Sequence, residues 1–185
     1  MTLVCGIDPG VTGALVLVDE AALQVVDWLD MPVIRAAKTT WSDGAILGDW
    51  LEDHRPQRAL VELIHFWPGM PNASGAAVLC RVAGGVETML SSLNIPFEHV
   101  QPAAWKRRAG LIGKDKTASL ALAKARLSWP QGGCHLAKHH GRAEAALIAL
   151  YGRAPLAPPK PPRRSKTVER LAAENLPAGP LFRGA

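Results

Sequence analysis

Apolar residues come in short blocks near the start of the chain, separated by turn-forming residues. Residues 2–8 and 14–19 ("ALVLVD") are rich in Val and Leu and read as strands. The link from Pro9 to Gly13 is short and holds two glycines, so the pair is predicted to be a hairpin. A third strand is predicted near 24–29, after another short turn. The period then changes. Ile46, Leu47, Trp50 and Leu51 recur at helical spacing in "DGAILGDWLEDH", with Ser42 ahead of them as the cap. "RALVELI", 58–64, is a fourth strand, too short for a buried helix. Residues 73–93 read as a long helix carrying Ala76, Ala77, Ala83, Gly84 and Gly85, small residues that let backbones approach closely. "IPFEHV", 95–100, is a fifth strand, and helices follow over 102–109, 115–127 and 139–151.

Three antiparallel strands followed by strand–helix crossovers predict an α/β domain, a mixed five-stranded sheet with helices on both faces. The hydrophobic content, 48% of 185 residues, is enough for a packed core. After Gly152 the composition changes to "RAPLAPPKPPRRSK". This divides the chain into a folded domain over 1–152 and a Pro-rich, basic, extended tail over 153–185. No run of 18 or more apolar residues occurs, so no membrane partner is expected. The opening "MTLVCGIDPG" lacks a signal peptide's basic region and cleavage site. Cys5, Cys80 and Cys134 are odd in number and far apart, which argues against a disulfide framework. A reducing, cytoplasmic setting is expected.

The formal charge of +5 is mild, and its placement says more. Lys106, Arg107, Arg108, Lys114, Lys116, Lys124 and Arg126 cluster in one stretch, and Lys160, Arg163, Arg164, Lys166 and Arg170 in a second. Such clusters are either solvated helix faces or a footprint for nucleic acid.

Acidic residues stand where strands want to be dry. Asp8 ends the first strand and Glu62 sits inside "ALVELI". An unpaired carboxylate in such a place costs several kcal/mol unless the strand opens on a cleft or a cation is bound. Glu144 begins a strongly apolar helical stretch, with His140 four residues earlier on the same helix face. Asp8 ahead of Pro9-Gly10 is a turn-former or part of a site. Glu62 could instead pair with Arg58 or Arg81, and His140 with Glu144 could be an ordinary exposed turn. If the first strand, the fourth strand and the last helix adjoin, three acids and one imidazole meet.

Four blocks in series carry a resemblance: "GIDPGVTGAL", "ALVELI", "VQPAAWKRRAGLIGKDKTASLALAKARL" and "HHGRAEAALIALYG". Over residues 2–152 the chain resembles the RuvC-type Holliday junction resolvases of the RNase H-like superfamily, and above all the short RuvC-like endonucleases of phages and prophages. The resemblance implies an RNase H-like fold and a two-ion site for Mg²⁺ or Mn²⁺ in a bacterial or phage-infected host cell. Asp8, Glu62 and Glu144 match three ligand positions. The fourth falls at His140, or at His139, where the commoner residue is an aspartate. An imidazole ligand makes Mn²⁺ a natural partner beside Mg²⁺. Lys116 matches a lysine near the scissile phosphate, and Lys106 a second basic position.

The implied partner is branched DNA and the implied assembly a homodimer, with the small-residue helix 73–93 as a candidate interface. Phe66 or Trp67, in the stretch after Glu62, could stack on unpaired bases or fill core. Lys106, Arg107, Arg108 and Lys114 are the candidate backbone contacts. The implied activity is metal-dependent cleavage of Holliday junctions or other branched DNA. A non-cleaving branched-DNA-binding module on the same fold stays as the alternative. A zinc site from Cys134, His135, His139 and His140 fits no familiar spacing.

Overall fold

The computed structural model describes residues 2–37, 39–65 and 73–152. Strands β1 (Leu3–Asp8), β2 (Ala14–Asp19) and β3 (Gln24–Asp30) follow one another. A small pair, β4 (Val33–Ala36) and β5 (Thr39–Ser42), comes next, then helix α1 (Gly44–His54) and strand β6 (Arg58–Glu62). Helix α2 (Ala73–Ser92), strand β7 (Phe97–Val100) and helices α3 (Pro102–Arg108), α4 (Lys116–Arg126) and α5 (His140–Tyr151) complete the order. The main sheet runs β3-β2-β1-β6-β7. β1 pairs antiparallel with β2 and parallel with β6, and β6 pairs parallel with β7. The mixed sheet with covered faces bears out the expected architecture.

Successive residues of a strand point to opposite faces, and the core divides accordingly. Val4, Val16 and Leu60 belong to a cluster with Trp105, Leu120 and the apolar residues of α5. Cys5, Ile7, Leu15, Ala59 and Val61 belong to a second cluster with Leu47 and Leu51 of α1 and Val82, Val86 and Leu90 of α2. Thus α3, α4 and α5 cover one face, and α1 and α2 the other. β2, buried at every position, is apolar from Ala14 to Val18 because both of its faces are covered.

Two expectations need correction. The cap of α1 is Asp43, whose carboxylate accepts from the N–H groups of Ala45 and Ile46 at 3.1 and 3.4 Å. Ser42 instead ends β5 opposite Val33. The buried stripe of α1 is Leu47 and Leu51, whereas Ile46 is 49% exposed. The β4–β5 pair was not expected at all. Its strands have four residues each and mix Arg and Thr with apolar positions, so no run is long enough to show a period of two.

Candidate active site

Asp8 and Glu62 end adjacent parallel strands. Ile7 pairs with Val61, and one residue further along lie Asp8 and Glu62. By the alternation of the strand, Asp8 shares the face of Val4 and Gly6, and Glu62 that of Leu60, the face covered by α5. Asp8 is also a turn-former, since its Oδ1 accepts from the Gly10 N–H at 3.0 Å. The turn folds back tightly. A Cβ on Gly13 would lie 2.1 Å from the Asp8 carbonyl oxygen and 2.8 Å from its Cγ, so glycine there lets the chain close around the carboxylate.

Glycine also brings α5 onto the strands. A Cβ on Gly6 would meet the Ala145 carbonyl oxygen at 1.9 Å and the Ala149 nitrogen at 2.7 Å. One on Gly141 would meet the Thr12 carbonyl oxygen at 2.3 Å. α5 therefore lies against β1, with its N-terminal turn beside the loop that follows Asp8. Glu144 of that helix has its Oε1 3.4 Å from the Ser119 hydroxyl, which donates to it, and 3.8 Å from Lys106 Nζ. Lys116 opens α4 behind Asp115, which caps the helix by accepting from the Thr117 and Ala118 N–H groups. Its Nζ stands 3.4 Å from His140 Nε2.

The charges act on one another. Burial raises the Asp8 carboxyl from 3.8 to about 6; the Gly10 N–H opposes this, Glu144 adds to it, and Lys106 and Lys116 oppose it. Burial likewise raises Glu62 from 4.5 to about 7; the Trp105 indole opposes this, Asp8 adds to it, Lys106 opposes it and Glu144 adds to it. Three acids and two lysines thus share one electrostatic field, and His140 adjoins it through Lys116. His139 has other company. It is 6% exposed, lies edge-on to the His135 ring, and feels Arg142, Asp30 and Lys138 among its charges. Between the two histidines, His140 is the one beside the acids' lysine. Among the described residues, no three His, Cys, Asp or Glu side chains are close enough as they stand to grip one ion. The acids occupy one region without forming a closed ligand set.

The structural pairings considered for Glu62 do not form. Arg58 bonds Glu20 at 3.1 Å, and Arg81 donates to the Thr39 hydroxyl and lies over the Trp41 ring. Arg107 and Lys114 are exposed. Arg108 is exposed too, yet its guanidinium donates to the Tyr151 carbonyl at the end of α5. Phe66 and Trp67 lie outside the described residues. The Cys134, His135, His139 and His140 zinc idea finds no cluster among the described residues; Lys124, beside Cys134, bonds the His135 carbonyl. Two site neighbours were missed. The Trp105 indole N–H donates to Glu62 Oε1 at 2.8 Å, a contact that nothing in the residues around Trp105 signals. Ser119 lies three residues after Lys116, a spacing that shares a helix face and was the available signal.

No protein-family profile matches the chain, and no curated protein matches it in sequence. Solved structures do. The structure titled T. thermophilus RuvC in complex with Holliday junction substrate superposes with a TM-score of 0.56 at 16% identity, covering 83% of this chain and 96% of that one. A second Thermus thermophilus RuvC structure gives 0.50 at 17% identity, covering 82% and 96%. The fold is RNase H-like. Within that fold, Asp8 and Glu62 stand at the carboxyl ends of the adjacent parallel strands β1 and β6, with the first turn of α5 beside the loop that follows Asp8.

Proposed function

We propose that the chain is a metal-dependent, structure-specific endodeoxyribonuclease that resolves Holliday junctions or other branched DNA. The observation that carries the reading is the convergence of Asp8, Glu62 and Glu144 from three separate elements into one electrostatically coupled group flanked by Lys106 and Lys116. The fold likeness to RuvC supports it.

The donor set fits divalent cations. Carboxylate oxygens suit Mg²⁺ and Mn²⁺, and the imidazole of His140 favours Mn²⁺. Burial and mutual repulsion hold Asp8 and Glu62 well above ordinary carboxyl values, a cost that cations offset. Asp8, Glu62, Glu144 and His140 would hold two such ions, which when bound supply Lewis-acid stabilisation of a phosphodiester and activation of water. Lys116, exposed at the start of α4, is placed to meet a phosphate and offset charge there. Lys106 neutralises Glu144, while Arg107 and Lys114 offer salt-sensitive backbone contacts. Phe66 and Trp67 as base-stacking residues, a boundary at 152 with a basic tail beyond it, and a homodimer making paired cuts belong to the same proposal.

A labelled four-way junction incubated with Mg²⁺ or Mn²⁺ tests this. Wild type is expected to cut the junction in preference to linear duplex, and Asp8→Asn not to cut. One observation favours a second reading, a branched-DNA-binding module without catalysis: among the described residues, no three His, Cys, Asp or Glu side chains are close enough as they stand to grip one ion. Tight junction binding with no cleavage in either metal would select that reading.

A further inference from the structure

We propose that Trp105 is a positioning residue whose indole N–H fixes the Glu62 carboxylate and so tunes the cation affinity of the acidic cluster. The proposal rests on reading that cluster as a divalent-cation site.

Trp105 is 0% exposed and sits within the core cluster beneath α5. Packing alone calls for a ring at this position. It does not call for an N–H, because a buried indole must find an acceptor for its single donor. Other tryptophans here meet that need away from the acidic cluster. Trp129 donates to the Ala123 carbonyl at 3.1 Å, and Trp50 to Asp27 at 3.0 Å. Trp105 donates at 2.8 Å to a carboxylate of the cluster itself.

A hydrogen bond to an ionised acceptor is stronger than a neutral one. This one comes from a side chain that the surrounding core holds in place. With Oε1 engaged, rotation of the Glu62 carboxylate is restricted and its other oxygen is left for a cation. Partners of this kind fix a ligand's orientation and thereby affinity. The neighbouring residue continues the arrangement: Lys106 Nζ lies 5.1 Å from the centre of the Trp105 ring and 3.8 Å from Glu144. Two consecutive residues of α3 thus address two acids from different elements.

Mn²⁺ titration calorimetry on EDTA-stripped full-length protein, run beside thermal unfolding, tests the proposal. Two variants are compared with wild type: Trp105→Phe, and 3-benzothienylalanine at position 105, which keeps the bicyclic shape and lacks only the N–H. The expected result is Mn²⁺ binding weakened by about 10–100-fold in both, with junction cleavage restored as Mn²⁺ is raised. In a Glu62→Gln background, Trp105→Phe is expected to weaken Mn²⁺ binding no further. A benzothienyl variant with wild-type Mn²⁺ affinity overturns the proposal and leaves Trp105 as core only. Wild-type protein that binds no Mn²⁺ overturns the cation-site reading, and this proposal with it.

Discussion

Removing the charge of Asp8 is expected to stabilise the protein at neutral pH in the absence of divalent ions. Its carboxyl titrates at about 6 in the folded chain against an ordinary 3.8. A folded-state value above the unfolded one means that the folded protein binds more protons between those limits. Stability therefore falls as pH rises through that window and reaches its full loss above pH 6. About two units correspond to about 3 kcal/mol at pH 8, at 1.36 kcal/mol per unit. At pH 4.5 the same relation leaves about 1 kcal/mol. Asn in place of Asp keeps an oxygen for the Gly10 N–H and removes the charge that burial and Glu144 penalise. Thermal unfolding in EDTA reads the difference directly. For a chain of this size about 3 kcal/mol is about 6–12 °C. Asp8→Asn is expected to unfold that much higher than wild type at pH 8 and only slightly higher at pH 4.5. An equal or lower midpoint at pH 8, or a gap that ignores pH, would refute a charge strained by burial.

Ion binding requires ionised acids, so Mn²⁺ affinity and junction cleavage are both expected to fall as pH drops below about 7, where Glu62 takes up its proton; a pH profile flat from 5.5 to 8 would contradict this. Lys116→Ala is expected to slow cleavage at saturating substrate by about 10²-fold or more, with junction affinity in gel shifts little changed. Gly6→Ala drives a methyl into the Ala145 carbonyl at 1.9 Å, and urea unfolding is expected to show a loss of about 3 kcal/mol or failure to fold. Gly85→Ala places its methyl 1.9 Å from the Ser42 hydroxyl oxygen; it is expected to be destabilising alone and largely relieved in combination with Ser42→Ala.

The centre of the main sheet was legible because β1, β2 and β6 are covered on both faces, so "ALVLV" and "ALV" stand out as apolar runs. Asp8 and Glu62 were legible for the same reason, as charges in runs that otherwise exclude them. The β4–β5 pair was not, being four residues a side with mixed polarity. Ser42 misled because Asp43, one residue later, caps as well and is free of strand pairing. The role of Gly6 was hidden, since nothing local marks a glycine whose missing Cβ admits a helix some 140 residues further along the chain. Trp105 is core, but its contact with Glu62 depends on the register of β6 against α3, which no local pattern encodes.

Diffraction from Mn²⁺-soaked crystals of wild type and Asp8→Asn, recorded for anomalous signal, tests the central claim most directly. Wild type is expected to show an anomalous peak about 2.1 Å from oxygens of Asp8 and Glu62 or Glu144, absent from Asp8→Asn. No peak at those acids in wild type, or one bound equally in both proteins, would contradict a cation site built on Asp8.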